Sequence, residues 1–101
     1  MSVLNIILNK EKLRTSSLID EYENELKVLP KGKLIPKNRN GNRYYYLCYR
    51  DGTKVISKYI GKDENVLFNI NEGLIRRKQI ESIIKKLYEE KNKIEKMEEL
   101  L

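Results

Sequence analysis

The side chains of this 101-residue chain that could do chemistry are lysine, arginine and tyrosine, and they crowd into its middle third. Residues 27–62 hold ten basic groups against one acid, Asp51, a formal +9. The first 26 residues carry −2 and residues 63–101 carry −1, so the middle holds more than the whole excess of +6. Five of the seven tyrosines (Tyr44, Tyr45, Tyr46, Tyr49 and Tyr59) fall in the same stretch. Concentrated positive charge with little to oppose it attracts polyanions. A tyrosine beside a lysine adds a ring that stacks on a base or lies against a sugar. Candidate phosphate contacts are therefore Lys31, Lys33, Lys37, Arg39, Arg43, Arg50, Lys54, Lys58 and Lys62, with Tyr45 and Tyr49 as stacking candidates. Arg76-Arg77-Lys78 is a second basic cluster, either an extension of that footprint or a solvated helical turn.

Other chemistry has little to work with. Without histidine there is no imidazole base and no His metal ligand. The single cysteine, Cys48, makes neither an internal disulfide nor a Cys-based zinc site. A free thiol in an apolar-aromatic run fits a reduced, cytoplasmic setting. The acids at 20–25 and 89–99 read as helix surface, whereas a metal-dependent nuclease needs carboxylates that converge. No glycine-rich phosphate loop opens a helix. The expectation is a nonenzymatic protein with no cofactor and no metal. No stretch approaches the roughly 20 apolar residues of a membrane span. The opening MSVLNIILNKEK lacks the basic region and cleavage site of a signal peptide.

The elements that must position these residues form one small domain of three parts, 1–28, 29–62 and 63–101. Residues 1–14 fit an edge strand or an early helical turn equally well, because a short apolar run decides neither. Thr15-Ser16-Ser17, with Asp20 three residues after Ser17, resembles a helix start. Leu18, Ile19, Tyr22, Leu26 and Leu29 then recur at helical spacing, giving a helix over 17–28 that Pro30 ends. Leu34-Ile35 opens a short edge strand, Asn40-Gly41 marks a tight turn, and residues 43–50 and 53–60 make two more strands about Asp51-Gly52. Asp63 caps a following helix, which Gly73 would bend or break. Ile80, Ile83, Leu87, Ile94, Met97 and Leu101 follow heptad spacing beyond it, with Ile84 and Tyr88 alongside and Glu90 as a polar intruder. That stripe serves either as a cover for the first helix or as a homodimer seam through 80–101. The fold class is α+β, a three-stranded antiparallel meander flanked by an N-terminal helix and a long C-terminal helix.

A two-residue Asp51-Gly52 loop pairs Arg50 with Thr53 and Tyr44 with Tyr59. One face then shows Tyr44, Tyr46, Cys48, Val55, Ser57 and Tyr59, with no formal charge. The other shows Arg43, Tyr45, Leu47, Tyr49, Lys54, Ile56, Lys58 and Ile60. Burying charge is costly, so the uncharged face is expected to pack and the lysine face to be open. Leu47, Ile56 and Ile60 would then form an exposed apolar patch, and lysine stems can lie along apolar surface, so the inverse assignment stays open.

The central third also carries a likeness. Leu29-Pro30-Lys31-Gly32, then Tyr44-Tyr45-Tyr46-Leu47-Cys48-Tyr49-Arg50-Asp51-Gly52-Thr53-Lys54-Val55, then Tyr59-Ile60-Gly61-Lys62, resembles a set of small, mostly uncharacterised bacterial and phage proteins. The likeness covers about residues 29–90. A similar tyrosine-rich hairpin occurs in N-terminal regions of some transposases. In outline the strands and helix are similar to the arm domains of some phage-type integrases, which set a sheet in the DNA major groove. The resemblance implies a phage or mobile-element setting and carries over no catalytic residue. Two functions follow as expectations. One is direct binding of nucleic acid, DNA or RNA, by the basic, tyrosine-rich sheet. The other is a phage-encoded inhibitor of the anti-CRISPR type, which uses the same surface to grip a host nucleoprotein complex.

Overall fold

A computed structural model describes residues 2–101. Helix α1 (Val3–Val28) is followed by strands β1 (Lys33–Arg39), β2 (Asn42–Asp51) and β3 (Lys54–Gly61), and then by helix α2 (Glu64–Glu99). The strands form one antiparallel sheet in the order β1-β2-β3. This is the expected α+β architecture.

Helix α1 begins much earlier than Ser17. Ser2 is its cap: the Asn5 N–H donates to Ser2 Oγ at 3.1 Å, and the Ile6 N–H to the Ser2 carbonyl at 3.2 Å. The ambiguous run at 3–8 is therefore helical. Thr15 lies in the helix interior rather than at a start. It is fully buried, and its hydroxyl donates to the Glu11 carbonyl four residues back at 2.8 Å. The helix does end where Pro30 requires, at Val28.

Asp63 caps α2 as expected, with its Oδ1 accepting the Asn65 N–H at 2.9 Å. Gly73 does not break this helix, which runs unbroken from Glu64 to Glu99. The glycine is there for space. A Cβ on Gly73 would lie 2.6 Å from Cγ and Cδ of Pro30. One turn later, the Arg77 guanidinium donates to the Pro30 carbonyl (2.7 Å) and the Leu29 carbonyl (2.9 Å). The Arg76-Arg77-Lys78 cluster thus contains a half-buried clamp on the segment that leads into the sheet. In that same segment Gly32 has φ +101°, and a Cβ there would fall on the Cys48 carbonyl.

The chain divides into two compact units. One joins α1 to the second part of α2, Gln79–Leu101. Its helices run antiparallel, since Lys12 bridges to Glu98 (3.0 Å) and the Tyr88 hydroxyl donates to Glu23 (3.0 Å). Leu8, Thr15 and Ile19 of α1, with Ile80 and Ile94 of α2, are its buried side chains. The less exposed row of α2 is Ile80, Ile83, Ile84, Leu87, Lys91, Ile94 and Glu98. Glu90, Met97 and Leu101 face out, so the heptad frame sits one residue from the expected one at these positions. The long stems of Lys91 and Glu98 make this register tolerable, and Lys12 neutralises Glu98. With Ile80 and Ile94 buried inside the chain, a dimer seam through 80–101 would draw on its exposed side chains, Tyr88, Met97, Leu100 and Leu101.

The second unit is Leu29–Lys78, the sheet with the first part of α2. It holds twelve lysines and arginines against four acids, a formal +8, whereas the helical unit carries −2.

Candidate nucleic-acid interface

The sheet is built by its turns. Asn40 and Gly41 both take positive φ (+50° and +78°), and β1 pairs with β2 from Arg39↔Asn42 to Lys33↔Cys48. The second loop is Gly52-Thr53 rather than Asp51-Gly52, because glycine occupies the first loop position, where φ is +62°. A positive φ at that position alone is the type II′ requirement. Asp51 therefore pairs with Lys54, Arg50 with Val55, Cys48 with Ser57 and Tyr46 with Tyr59. Each partner moves by two residues from the expected register. An even shift keeps every side chain on its expected face.

Which face is open is the reverse of the expectation. Leu47 is 7% exposed, and Leu34, Ile56 and Ile60 are half-buried on its side of the sheet. On the other side Val55 is 69% exposed, Tyr59 58% and Ile35 39%. Four aliphatic side chains outweigh the cost of two lysines whose stems let the charged heads reach water. Lys54 and Lys58 are indeed exposed, although they share the register of Leu47 and Ile56. Arg43, Tyr45 and Tyr49 share that packed face, and Lys31 sits 5.4 Å over the Tyr49 ring. Tyr45 and Tyr49, half-buried as Tyr44 and Tyr46 also are, lie on the packed face rather than the open one.

The open face collects a different set. Lys33, Ile35, Lys37 and Arg39 of β1 lie across from Cys48, Tyr46, Tyr44 and Asn42 of β2, and Arg50, Val55, Ser57 and Tyr59 complete the surface. A bulge adds Lys62. Tyr46 pairs with Tyr59 but Tyr45 pairs with Gly61, leaving Ile60 as the extra residue. The bulge breaks the alternation: Gly61 (φ +104°) is buried, with the Tyr59 ring edge and hydroxyl 3.6–3.9 Å from where its Cβ would stand, and Lys62 emerges beside Tyr44, its Nζ 5.7 Å from that ring centroid.

Three tyrosines occupy the middle of this surface. Tyr46 and Tyr59 meet edge to face at 5.4 Å (68° between planes), and Tyr44 and Tyr59 lie tilted at 6.3 Å. Lys37 Nζ is 4.6 Å over the Tyr46 ring. Such cation–π contacts hold an exposed lysine beside its ring by about 0.5–1 kcal/mol each. Lys33, Lys37, Arg39, Arg50 and Lys62 surround the rings, and no acid shares the face. Cys48 donates its thiol proton to Ser57 Oγ at 3.5 Å, a cross-strand contact within the same surface. Sequence reasoning placed Tyr44, Tyr46 and Tyr59 in the tyrosine-rich stretch but chose Tyr45 and Tyr49 as the stacking candidates. The signal for the other three was the count of aliphatic residues on the opposite face. Among the described residues no group of three or more His, Cys, Asp and Glu is placed to hold a metal ion. Nor, among them, is any helix long and apolar enough to cross a membrane.

No curated protein and no solved structure matches this chain. The pattern of a domain of unknown function, DUF6788, matches residues 8–67, which span most of α1, the whole sheet and the start of α2. That is more than half of the sequence and includes every candidate contact from Lys31 to Lys62, and so the chain belongs to the DUF6788 family.

Proposed function

We propose that this protein binds nucleic acid, without catalysis, through the open face of its sheet. The observation that carries the reading is the juxtaposition on that face of three clustered tyrosines with five cations and no acid. Lysine and arginine at the rim neutralise phosphates, and aromatic rings at the centre meet bases or sugars. The +8 charge of the sheet-bearing unit steers a polyanion toward that unit rather than toward the helical one. The Leu29-Pro30-Lys31-Gly32 and Tyr44–Val55 likeness adds a phage or mobile-element setting to the proposal.

Fluorescence polarisation of labelled single- and double-stranded DNA and RNA, at two salt concentrations, tests it. Support is micromolar or tighter binding to at least one of the four that weakens with salt and is lost in Lys37→Glu, Lys62→Glu. Binding to none of them overturns it. Capture of an intact guide RNA–protein effector in that case would favour the alternative, a phage-encoded inhibitor of the anti-CRISPR type.

A further inference from the structure

We infer that the ligand of the open face is a single strand, its bases stacked on Tyr59 and its neighbours rather than read from a duplex groove. This deepens the reading above and rests on it. A base inside a duplex has both faces covered by its neighbours and offers only its edges. Reading edges takes Arg, Asn, Gln or Lys at the middle of the contact. The middle here is instead apolar and aromatic, with Tyr44, Tyr46 and Tyr59 flanked by Ile35 and Val55, both exposed. The rings match the flat π-surface of an unpaired base, whereas duplex readout rests chiefly on bidentate Arg, Lys, Asn or Gln contacts to base edges, for which the centre of this face offers only single phenol hydroxyls.

The rings differ in what they have free. Tyr46 has Lys37 over its face and Tyr44 has Lys62. Tyr59 makes ring contacts with both tyrosines, has no lysine over its ring among the described residues, and is 58% exposed. It therefore offers the open stacking surface. Lys37, on the outer strand β1, and Lys62, just past the end of β3, hold ammonium groups beside the other two rings. A strand laid across Tyr59 brings its phosphates to these two charges. Every base has a π-face, so stacking on Tyr59 is sequence-tolerant and sequence preference should be weak.

The test is polarisation with the full chain at one salt concentration, using a labelled single-stranded DNA, its RNA counterpart and the corresponding duplex. The single strands should bind at least tenfold more tightly than the duplex. Tyr59→Ala should weaken single-strand binding by about 5- to 150-fold, the range seen when one base–aromatic stack is removed. Tyr59→Phe should keep it, and Tyr59→Leu, which retains bulk without a π-face, should behave like Tyr59→Ala. Circular dichroism checks that each variant is folded. Equal or tighter duplex binding, or folded Tyr59→Ala and Tyr59→Leu that bind single strands as wild type, overturns the inference. If that happens while Lys37→Gln, Lys62→Gln weakens every ligand, nucleic-acid binding itself still stands. If neither single strand nor duplex binds, the underlying reading fails with it.

Discussion

Replacing Lys37 and Lys62 together by glutamine should change how binding responds to salt, not only how strong it is. Five cations surround the tyrosines: Lys33, Lys37, Arg39, Arg50 and Lys62. If each neutralises one phosphate of a single strand, log K falls against log salt with a slope of about −3.5. Raising salt from about 50 to about 200 mM then weakens wild-type binding by roughly 100-fold. The double variant keeps three contacts, so its slope should be about −2 and the loss over the same range about 20-fold. Glutamine preserves much of the side-chain length, and both lysines are exposed, so folding should be unaffected. The assay is a polarisation titration at four or five salt concentrations. A wild-type slope near zero would refute the electrostatic reasoning. An unchanged slope in the double variant, beside a steep wild-type one, would place the phosphate contacts elsewhere on the basic unit.

Gly73→Ala separates two effects of opposite sign. Helix propensity alone would raise stability by up to about 1 kcal/mol, whereas overpacking against the rigid Pro30 ring costs about 1–3 kcal/mol. A lowered melting temperature is expected, and a raised one would show that the Pro30 seat is not as described. Ile80→Ala should cost about 2–5 kcal/mol, since Ile80 is fully buried. Phe68→Ala, on a side chain 63% exposed, should cost far less by chemical denaturation. The Tyr88 phenol donates to the Glu23 carboxylate, and that bond, with the nearby negative charge, raises its pKa above the ordinary 10. A raised folded-state pKa means the contribution is fully present below the ordinary value and is lost as pH climbs through the raised one. Ultraviolet titration of Glu23→Gln should show one tyrosine ionising at lower pH than in the wild type.

The meander was legible because its punctuation is chemical. Asn40-Gly41 and Gly52 take the positive φ that the turns need, and Asp63 caps the helix it precedes. What was illegible has physical causes too. The start of α1 depended on Ser2, whose one hydroxyl competes with the more conspicuous Thr15-Ser16-Ser17. Gly73 looked like a helix breaker because its use, the close approach of Pro30, joins residues 43 apart in sequence. The loop shifted by one position at each strand end, yet faces survived, since an even register shift leaves alternation intact. Face choice stayed open in the sequence because formal charge and side-chain length pull in opposite directions, and the expectation leaned to charge. Lysines at 54 and 58 keep their heads in water from a packed face, whereas Leu34, Leu47, Ile56 and Ile60 have no such freedom. The bulge that turns Lys62 toward Tyr44 had no sequence mark beyond Gly61.

The most direct measurement is a footprint. Amide and methyl NMR spectra of the labelled chain, titrated with a short single-stranded oligonucleotide, locate the contact without assuming it. Shifts concentrated at Ile35, Lys37, Tyr44, Tyr46, Val55, Tyr59 and Lys62, with Leu34, Leu47 and Ile56 little changed, are the expected result. Shifts confined to the other face or to the helical unit, or none at all, would contradict binding by the tyrosine face.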